Sequence, residues 1–191
     1  MKPRDIPNTL CALRIALVAP LLWTILSGQY VLATLLFGLA GFTDLLDGYL
    51  ARRFGWHTPL GALLDPIADK VLTVGVFLCL MAVGLIPRWL AALVIGRDLY
   101  IVSGSAVYRR FVGPFKAGAR MPGKLTTAAM LLFVWLLLAR AAVGWPSEGV
   151  TMILGATLAV LVVVSALDYT RHWARQARTP SQDLKTENEL T

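Results

Sequence analysis

Six long apolar stretches constrain this chain more than any other feature of its sequence. They cover residues 10–27, 30–53, 61–86, 89–107, 125–143 and 149–167. Each is close to the roughly 20 residues that a helix needs to cross the hydrocarbon core of a bilayer. Hydrocarbon offers no partners to open backbone groups, and the sequence lacks the alternation of a membrane barrel. The sequence therefore predicts an all-α bundle of six transmembrane helices.

The composition excludes an ordinary soluble domain. Of the 191 residues, 57% are hydrophobic and only 15% are charged, whereas a typical soluble chain has roughly 25% charged residues. The net charge of +7 marks cytoplasmic loops in a chain of this kind, so we expect no nucleic-acid partner. Residues 1–178 are predicted to form the membrane domain, and the polar segment 179–191 a disordered cytoplasmic tail.

The basic residues predict the orientation of the bundle. Most of them fall at one set of ends of the apolar stretches, and the opposite ends hold only Arg88 and Arg140. Because cytoplasmic loops carry the excess of Lys and Arg, the crowded ends are predicted to be cytoplasmic, together with both termini. We expect an integral protein of the bacterial inner membrane. The basic residues at the crowded ends are Lys2, Arg4, Arg52, Arg53, Arg109, Arg110, Lys116, Arg120, Lys124, Arg171, Arg175, Arg178 and Lys185.

Four aspartates lie near the predicted cytoplasmic ends of the second and third stretches. Asp44 and Asp47 are three residues apart and share one helical face, and Asp65 and Asp69, four apart, share another. A short turn between the stretches lets the two helices pack antiparallel, which brings both faces together. One alternative is that each carboxylate lies at the water interface or pairs with a neighbouring basic residue.

Four converging carboxylates would repel each other unless cations neutralise them. Mg²⁺ and Mn²⁺ prefer carboxylate oxygens, and two such ions form a clamp for in-line displacement at phosphorus. Gly41, Gly48 and Gly61 on these helices would let a ligand or another helix approach closely, although such glycines also serve ordinary helix packing. The acids thus predict a divalent metal site.

The acids also belong to a longer pattern. The chain reads Asp44-Leu-Leu-Asp47-Gly48-Tyr-Leu-Ala51-Arg52, then eight residues, then Gly61-Ala-Leu-Leu-Asp65-Pro-Ile-Ala-Asp69. This resembles the signature of the CDP-alcohol phosphatidyltransferases, D-x-x-D-G-x-x-A-R, eight residues, G-x-x-x-D-x-x-x-D, at every fixed position. The resemblance extends to the six spans and to the N-terminal Ile6-Pro7-Asn8-Thr9-Leu10 … Arg14 pattern, and covers most of the chain.

The resemblance implies an enzyme that displaces CMP from a CDP-linked lipid with an alcohol acceptor. It implies that Asp69 acts as general base on the acceptor hydroxyl, and it suggests a homodimer. The implied ligands of two divalent ions, Mg²⁺ or Mn²⁺, are Asp44, Asp47, Asp65 and Asp69. The implied nucleotide-binding residues are Gly48, Ala51, Arg52 and Gly61.

The acceptor divides the family into branches. A helix-borne arginine and the stretch Pro122-Gly123-Lys124-Leu-Thr126-Thr127 resemble the branch that uses glycerol 3-phosphate. That branch usually shows Ala-Arg-Glu where this chain has Gly96-Arg97-Asp98, and Arg-Asp also resembles the branch that makes cardiolipin from phosphatidylglycerol. We favour glycerol 3-phosphate. Both acceptors are anionic and suit a predicted acceptor site of Arg97, Arg109, Arg110 and Lys124.

These cations have structural alternatives. Arg97 and Asp98 could form an internal ion pair, and Arg109 and Arg110 could anchor the bundle at the membrane surface. A rival function is a small ion or proton transporter with a relay of intramembrane carboxylates. That function predicts acids spread through the depth of the bilayer, whereas these acids cluster at one end. A catalytically inactive scaffold would be expected to have lost motif positions, and none is lost here.

Overall fold

The computed structural model describes the backbone of residues 6–54, 59–111 and 121–178, and the side chains of 15–46, 53–54, 69–105 and 121–171. Within these ranges the chain is all helical and contains no strand, which confirms the predicted all-α class. The predicted tail, 179–191, lies outside the described residues. The helices are α1 (Ile6–Leu26), α2 (Tyr30–Phe54), α3 (Pro59–Ala82), α4 (Arg88–Phe111), α5 (Met121–Val143) and α6 (Glu148–Arg178).

Glycines with positive φ end α1 and α3. Gly28 has φ 72° and Gly84 has φ 77°, a conformation that costs glycine little because it has no Cβ. The next residue in each case reaches back to the helix: Gln29 N–H donates to the Thr24 carbonyl at 2.9 Å, and Leu85 N–H to the Leu80 carbonyl at 2.9 Å. This cap ends α3 at Ala82, before the predicted end of the third stretch at residue 86.

The helices contact one another in a closed ring. α1 packs on α2 and α3, α2 packs on α5, α5 on α6, α6 on α4, and α4 on α3. Among the residues whose side chains the structure describes, α2 and α3 have no close backbone contact. The ends of α2 and α3 next to their connection, where we expect these helices to pack, lie largely outside those residues. Helix α1 contacts both of them, and side chains of both line cavities together with α5.

Large apolar side chains fill the inside of the ring. The most completely buried include Leu21 of α1, Phe77 of α3, Leu138 of α5 and Leu158 of α6. Each of these side chains makes many dispersion contacts, which are individually small and collectively large. The core therefore fixes the helix positions from which the polar side chains of the next section project.

The outer surface of the bundle is also apolar. Trp23, Leu35, Met152 and Ile153 each expose about two thirds or more of their surface, and helices that are apolar on all sides are typical of membrane spans. By length and composition, Met121–Val143 and Glu148–Arg171 can each cross a membrane. Ile15–Leu26 and Tyr30–Leu46 are shorter apolar helices.

Candidate active site

A cavity of about 310 Å³ lies among α2, α3, α4 and α5. Its polar lining comes from Asp44 of α2, Asp69, Lys70 and Thr73 of α3, Asp98 of α4 and Thr127 of α5. Its remaining walls are apolar or small. Four helices thus contribute ionisable or hydroxyl groups to one space.

The cavity brings together two acids that were predicted to meet. Asp44 and Asp69, the first and last acids of the motif, both line it, from different helices. Asp47 and Asp65 lie on the same helices one turn away, and their side chains are outside the described ones. Their spacing of three and four residues in the sequence predicts that each shares a helical face with its described neighbour. The predicted convergence therefore holds for the acid of each pair that the structure describes.

The small residues Ala40 and Gly41 leave room beside Asp44. Both line the cavity, and a Cβ placed on Gly41 would meet no other atom within 4 Å. The space is therefore wide enough at this point for a side chain or for part of a ligand.

The donors in the cavity fit a hard divalent cation. Carboxylate oxygens of Asp44 and Asp69 are the ligand type that Mg²⁺ and Mn²⁺ prefer. Among the side chains that the structure describes, no three of the metal-ligating types form a group. A complete ligand set would therefore include acids outside the described side chains, and the motif supplies Asp47 and Asp65.

A chain of ionic contacts crosses from the cavity into the bundle. Lys70 Nζ donates to Asp98 Oδ2, and Arg97 Nη1 donates to Asp98 Oδ1 at 2.8 Å. Arg97 Nη2 also donates to Ser165 Oγ of α6 at 2.7 Å. Asp98 is therefore held by two cations, one from α3 and one from its own helix.

Arg97 lies deeper than an acceptor-binding residue was expected to lie. Its exposed fraction is 9% and that of Asp98 is 3%, and Arg97 is not among the residues that line the cavity. The internal ion pair, which the sequence left as the alternative, is present. Burial of an arginine requires such a pair because an uncompensated buried charge is strongly destabilising.

The start of α5 lies next to Arg97. A methyl group at Gly123 would lie 3.6 Å from Arg97 Nη2 and 3.4 Å from the Tyr169 hydroxyl. Lys124 follows Gly123 and is exposed, and Thr127, one turn further, lines the cavity. The Gly-Lys-x-x-Thr stretch is thus close to both the ion pair and the cavity.

Eight of the predicted site residues have side chains outside the described ones. Their backbones are helical: six lie on α2 and α3, and two lie near the end of α4. Their roles remain predictions. These residues are Asp47, Gly48, Ala51, Arg52, Gly61, Asp65, Arg109 and Arg110.

Sequence reasoning gave Lys70 only the alternative role of an ion-pair partner for the motif acids, and it gave Ser165 no role. The sequence does contain a signal for the contact of Lys70 with Asp98, because Lys70, Arg97 and Asp98 are all charges within apolar stretches. One acid and two bases in such positions predict a shared pair. Ser165 carried no signal, since a serine in a membrane helix can bond to its own backbone.

Comparison with known proteins identifies the relatives of the chain. The model of the family described as CDP-alcohol phosphatidyltransferase matches residues 4–169. A cardiolipin synthase (CMP-forming) of Rattus norvegicus is 33% identical over 190 residues, which cover 91% of this chain and 63% of the rat protein. The chain spans the same share, 63%, of the cardiolipin synthase (CMP-forming) of Homo sapiens.

Two bacterial relatives are covered more completely. A CDP-diacylglycerol–glycerol-3-phosphate 3-phosphatidyltransferase of Pseudomonas fluorescens is 39% identical over 142 residues, which cover 70% of this chain and 72% of that protein. A probable phosphatidylglycerophosphate synthase of Mycobacterium tuberculosis is 32% identical over 172 residues, covering 86% of this chain and 79% of that protein. With the family match across nearly the whole described region, these similarities show that the chain belongs to the CDP-alcohol phosphatidyltransferase family.

Proposed function

We propose that this protein transfers a phosphatidyl group from CDP-diacylglycerol to glycerol 3-phosphate and releases CMP. The observation that carries the proposal is the shared cavity of Asp44 and Asp69, which joins the two ends of the family motif in space. The names of the Pseudomonas and Mycobacterium relatives support the donor and the acceptor.

The reaction is a displacement at the phosphorus that carries the diacylglycerol. The acceptor hydroxyl oxygen forms a bond to this phosphorus, and the bond from phosphorus to the oxygen shared with CMP breaks. The electron pair leaves with CMP. Asp69 is proposed to take the hydroxyl proton, because a carboxylate within hydrogen-bonding reach of the attacking oxygen provides general-base catalysis.

Divalent ions, Mg²⁺ or Mn²⁺, are proposed to bind to Asp44, Asp47, Asp65 and Asp69. When bound, two such ions supply neutralisation of the diphosphate and of the charge on departing CMP. The carboxylates of Asp44 and Asp69 support this assignment, since they line one cavity with oxygen donors of the required type. Asp69 has both roles in the proposal, as ligand and as base.

The nucleotide is proposed to lie along the adjoining parts of α2 and α3. Gly48, Ala51 and Gly61 leave room for it, and Arg52 faces its phosphates. For the acceptor, we propose Arg109, Arg110 and Lys124, with Arg97 acting from behind the cavity wall. The position of Gly123 beside Arg97 supports the joint assignment of Lys124 and Arg97 to the acceptor.

Phosphatidylglycerol is the second candidate acceptor, which would make the protein a cardiolipin synthase. Two observations favour it: the rat relative matches 91% of this chain, and the sequence has Arg97-Asp98 where Arg-Glu is usual in the glycerol 3-phosphate branch. The ion or proton transporter is less well supported, because Asp44, Asp69 and Asp98 line a single cavity.

Acceptor competition tests the proposal. Purified protein receives CDP-diacylglycerol, Mg²⁺ and either glycerol 3-phosphate, phosphatidylglycerol or both, and released CMP and the lipid product are measured. We expect phosphatidylglycerophosphate as the main product when both acceptors are present. Cardiolipin as the main product would favour the second candidate, and no CMP release with either acceptor would contradict the proposed function.

The proposed arrangement in the membrane has six spans, both termini in the cytoplasm and the cavity at the cytoplasmic side. The apolar outer surface and the two helices of spanning length support it, as does the distribution of basic residues. We place the protein in the bacterial inner membrane as a homodimer, by the family resemblance.

A further inference from the structure

Lys70 is partly exposed, and its ammonium contacts a buried carboxylate. Its ammonium donates to Asp98, whose side chain is 4% exposed, whereas the Lys70 side chain is 44% exposed. Both residues line the cavity that holds Asp44 and Asp69. The Lys70 ammonium therefore lies at the boundary between the ionic chain inside the bundle and the candidate active site.

Within the ionic chain of Lys70, Asp98 and Arg97, the cations outnumber the acid, and the motif acids Asp44 and Asp69 line the same cavity. Asp98 carries one negative charge and serves two cations, Lys70 and Arg97. Arg97 has its second contact with a neutral group, the Ser165 hydroxyl. The cluster of these three charged groups therefore has a net charge of +1, and its more exposed cation is the one that lines the cavity.

An ammonium group has three N–H donors. One of them serves Asp98 in the contact that the structure shows. The remaining donors and the positive charge of Lys70 suit an anionic oxygen in the cavity, and a lysine of this kind is a common partner for phosphate.

We propose that Lys70 binds a phosphate group of the substrates and that Asp98 is a positioning residue that holds the Lys70 ammonium at the cavity wall. This inference rests on the proposed function. The phosphate belongs either to the diphosphate of CDP-diacylglycerol or to the acceptor. In both cases Arg97 supports Asp98 from inside the bundle and does not touch the substrate through the cavity.

Steady-state kinetics of CMP release test the phosphate contact. For Lys70→Ala we expect KM to rise about tenfold or more for one substrate, the size of effect that follows from loss of one charge-assisted hydrogen bond. Lys70→Arg, which keeps the charge, is expected to restore KM to within about threefold of the wild type. A rise in the KM for CDP-diacylglycerol assigns the diphosphate, and a rise in that for the acceptor assigns the acceptor phosphate.

Unchanged KM values for both substrates in Lys70→Ala would overturn the inference. Arg88→Ala is the matched control, since it removes an exposed cation at the opposite end of the bundle and should leave both KM values unchanged. Wild-type CMP release is measured first. The absence of CMP release would contradict the proposed function. Normal wild-type turnover together with unchanged KM values in Lys70→Ala would contradict only this inference.

A double-mutant cycle tests the positioning role of Asp98. We expect Asp98→Asn to raise the KM of the same substrate as Lys70→Ala does, and to have no further effect on this KM in a Lys70→Ala background. An equal rise in KM in both backgrounds would show that Asp98 acts independently of Lys70 and would overturn the positioning role. If Asp98→Asn does not fold, Asp98→Glu takes its place in the cycle, because it keeps the charge but moves it by one methylene group.

Discussion

Asp44 and Asp69 line a common cavity although they lie on different helices, α2 and α3. Their residue type and spacing could be predicted to form a metal site from the sequence, since isolated carboxylates on membrane helices are costly. Lys70 and Arg97 could not be placed in the same way. Both are cations in apolar stretches, and only the structure shows that one lines the cavity and the other lies behind it.

Asp44→Asn and Asp69→Asn are expected to reduce CMP release at least about 100-fold each. The amide has nearly the shape of the carboxylate but neither its charge nor its basicity, so metal binding or general-base catalysis is lost. Turnover is measured with saturating CDP-diacylglycerol across a range of Mg²⁺ concentrations, and thermal unfolding in detergent checks the fold.

Glu148→Gln is the matched control for these variants. Glu148 is an exposed acid that pairs with Arg140 at 2.9 Å, and it lies outside the candidate site. Its replacement should leave turnover at the wild-type level. Full activity of Asp44→Asn would show that the assignment of this acid to the metal site is wrong.

Gly41→Leu is expected to reduce turnover about tenfold or more without loss of stability. The new side chain enters open space, since a Cβ at Gly41 meets no atom within 4 Å, and there it occupies room proposed for substrate. Gly149→Leu is the control, because Gly149 is also a helical glycine with no atom within 4 Å of its Cβ position. Equal turnover of the two variants would mean that the cavity does not admit substrate beside Gly41.

At the scale of helices, the apolar stretches predicted the number and approximate bounds of α1 to α6. The ends were less predictable: α6 continues to Arg178, well beyond the apolar stretch that ends at residue 167, because basic and polar residues also favour helix once it has started. The neighbours of each helix could not be predicted. Periodicity shows which face is apolar, but it does not show that α1 would contact both α2 and α3.

The packing between α5 and α6 depends on a glycine. A Cβ at Gly155 would lie 3.3 Å from Phe133 Cε2 and 3.8 Å from Leu90 Cδ2, so a larger side chain has to displace a rigid ring. We expect Gly155→Leu to lower the free energy of unfolding by about 1–3 kcal/mol, measured by denaturant or thermal unfolding in detergent.

Gly155→Leu combined with Phe133→Ala tests whether the clash with the Phe133 ring causes the loss of stability. Removing the ring makes space for the new side chain, so the double variant should be more stable than the sum of the two single effects predicts. Additive losses would show that Phe133 does not limit the approach of α6.

At the scale of the whole molecule, apolar side chains lie both inside the ring of helices and on its outer surface. The polar and charged groups that line the cavity or support it, which come from α2 to α6, are among the exceptions. The described part of α4 carries the charged residues Arg88, Arg97 and Asp98, so it is less apolar than α5 or α6. A bundle of this kind fits a bilayer if the charges are paired inside it.

Cysteine labelling tests the proposed six-span topology. Single cysteines at the exposed positions Ser27, Phe54, Ser147 and Arg171 are introduced after both native cysteines are replaced by alanine. A membrane-impermeant maleimide added outside spheroplasts should label the Ser27 and Ser147 variants, and should label the other two only after lysis. Labelling of Ser147 and Arg171 variants from the same side would contradict a spanning α6.

Binding of Mn²⁺, followed by electron paramagnetic resonance of the free ion, tests the central claim most directly because it needs neither substrate nor turnover. The purified wild-type protein should remove Mn²⁺ from solution in a saturable way, and the folded Asp44→Asn/Asp69→Asn double variant should bind at least about tenfold more weakly. Equal Mn²⁺ uptake by the two proteins, or none by the wild type, would contradict a metal site built on these two carboxylates.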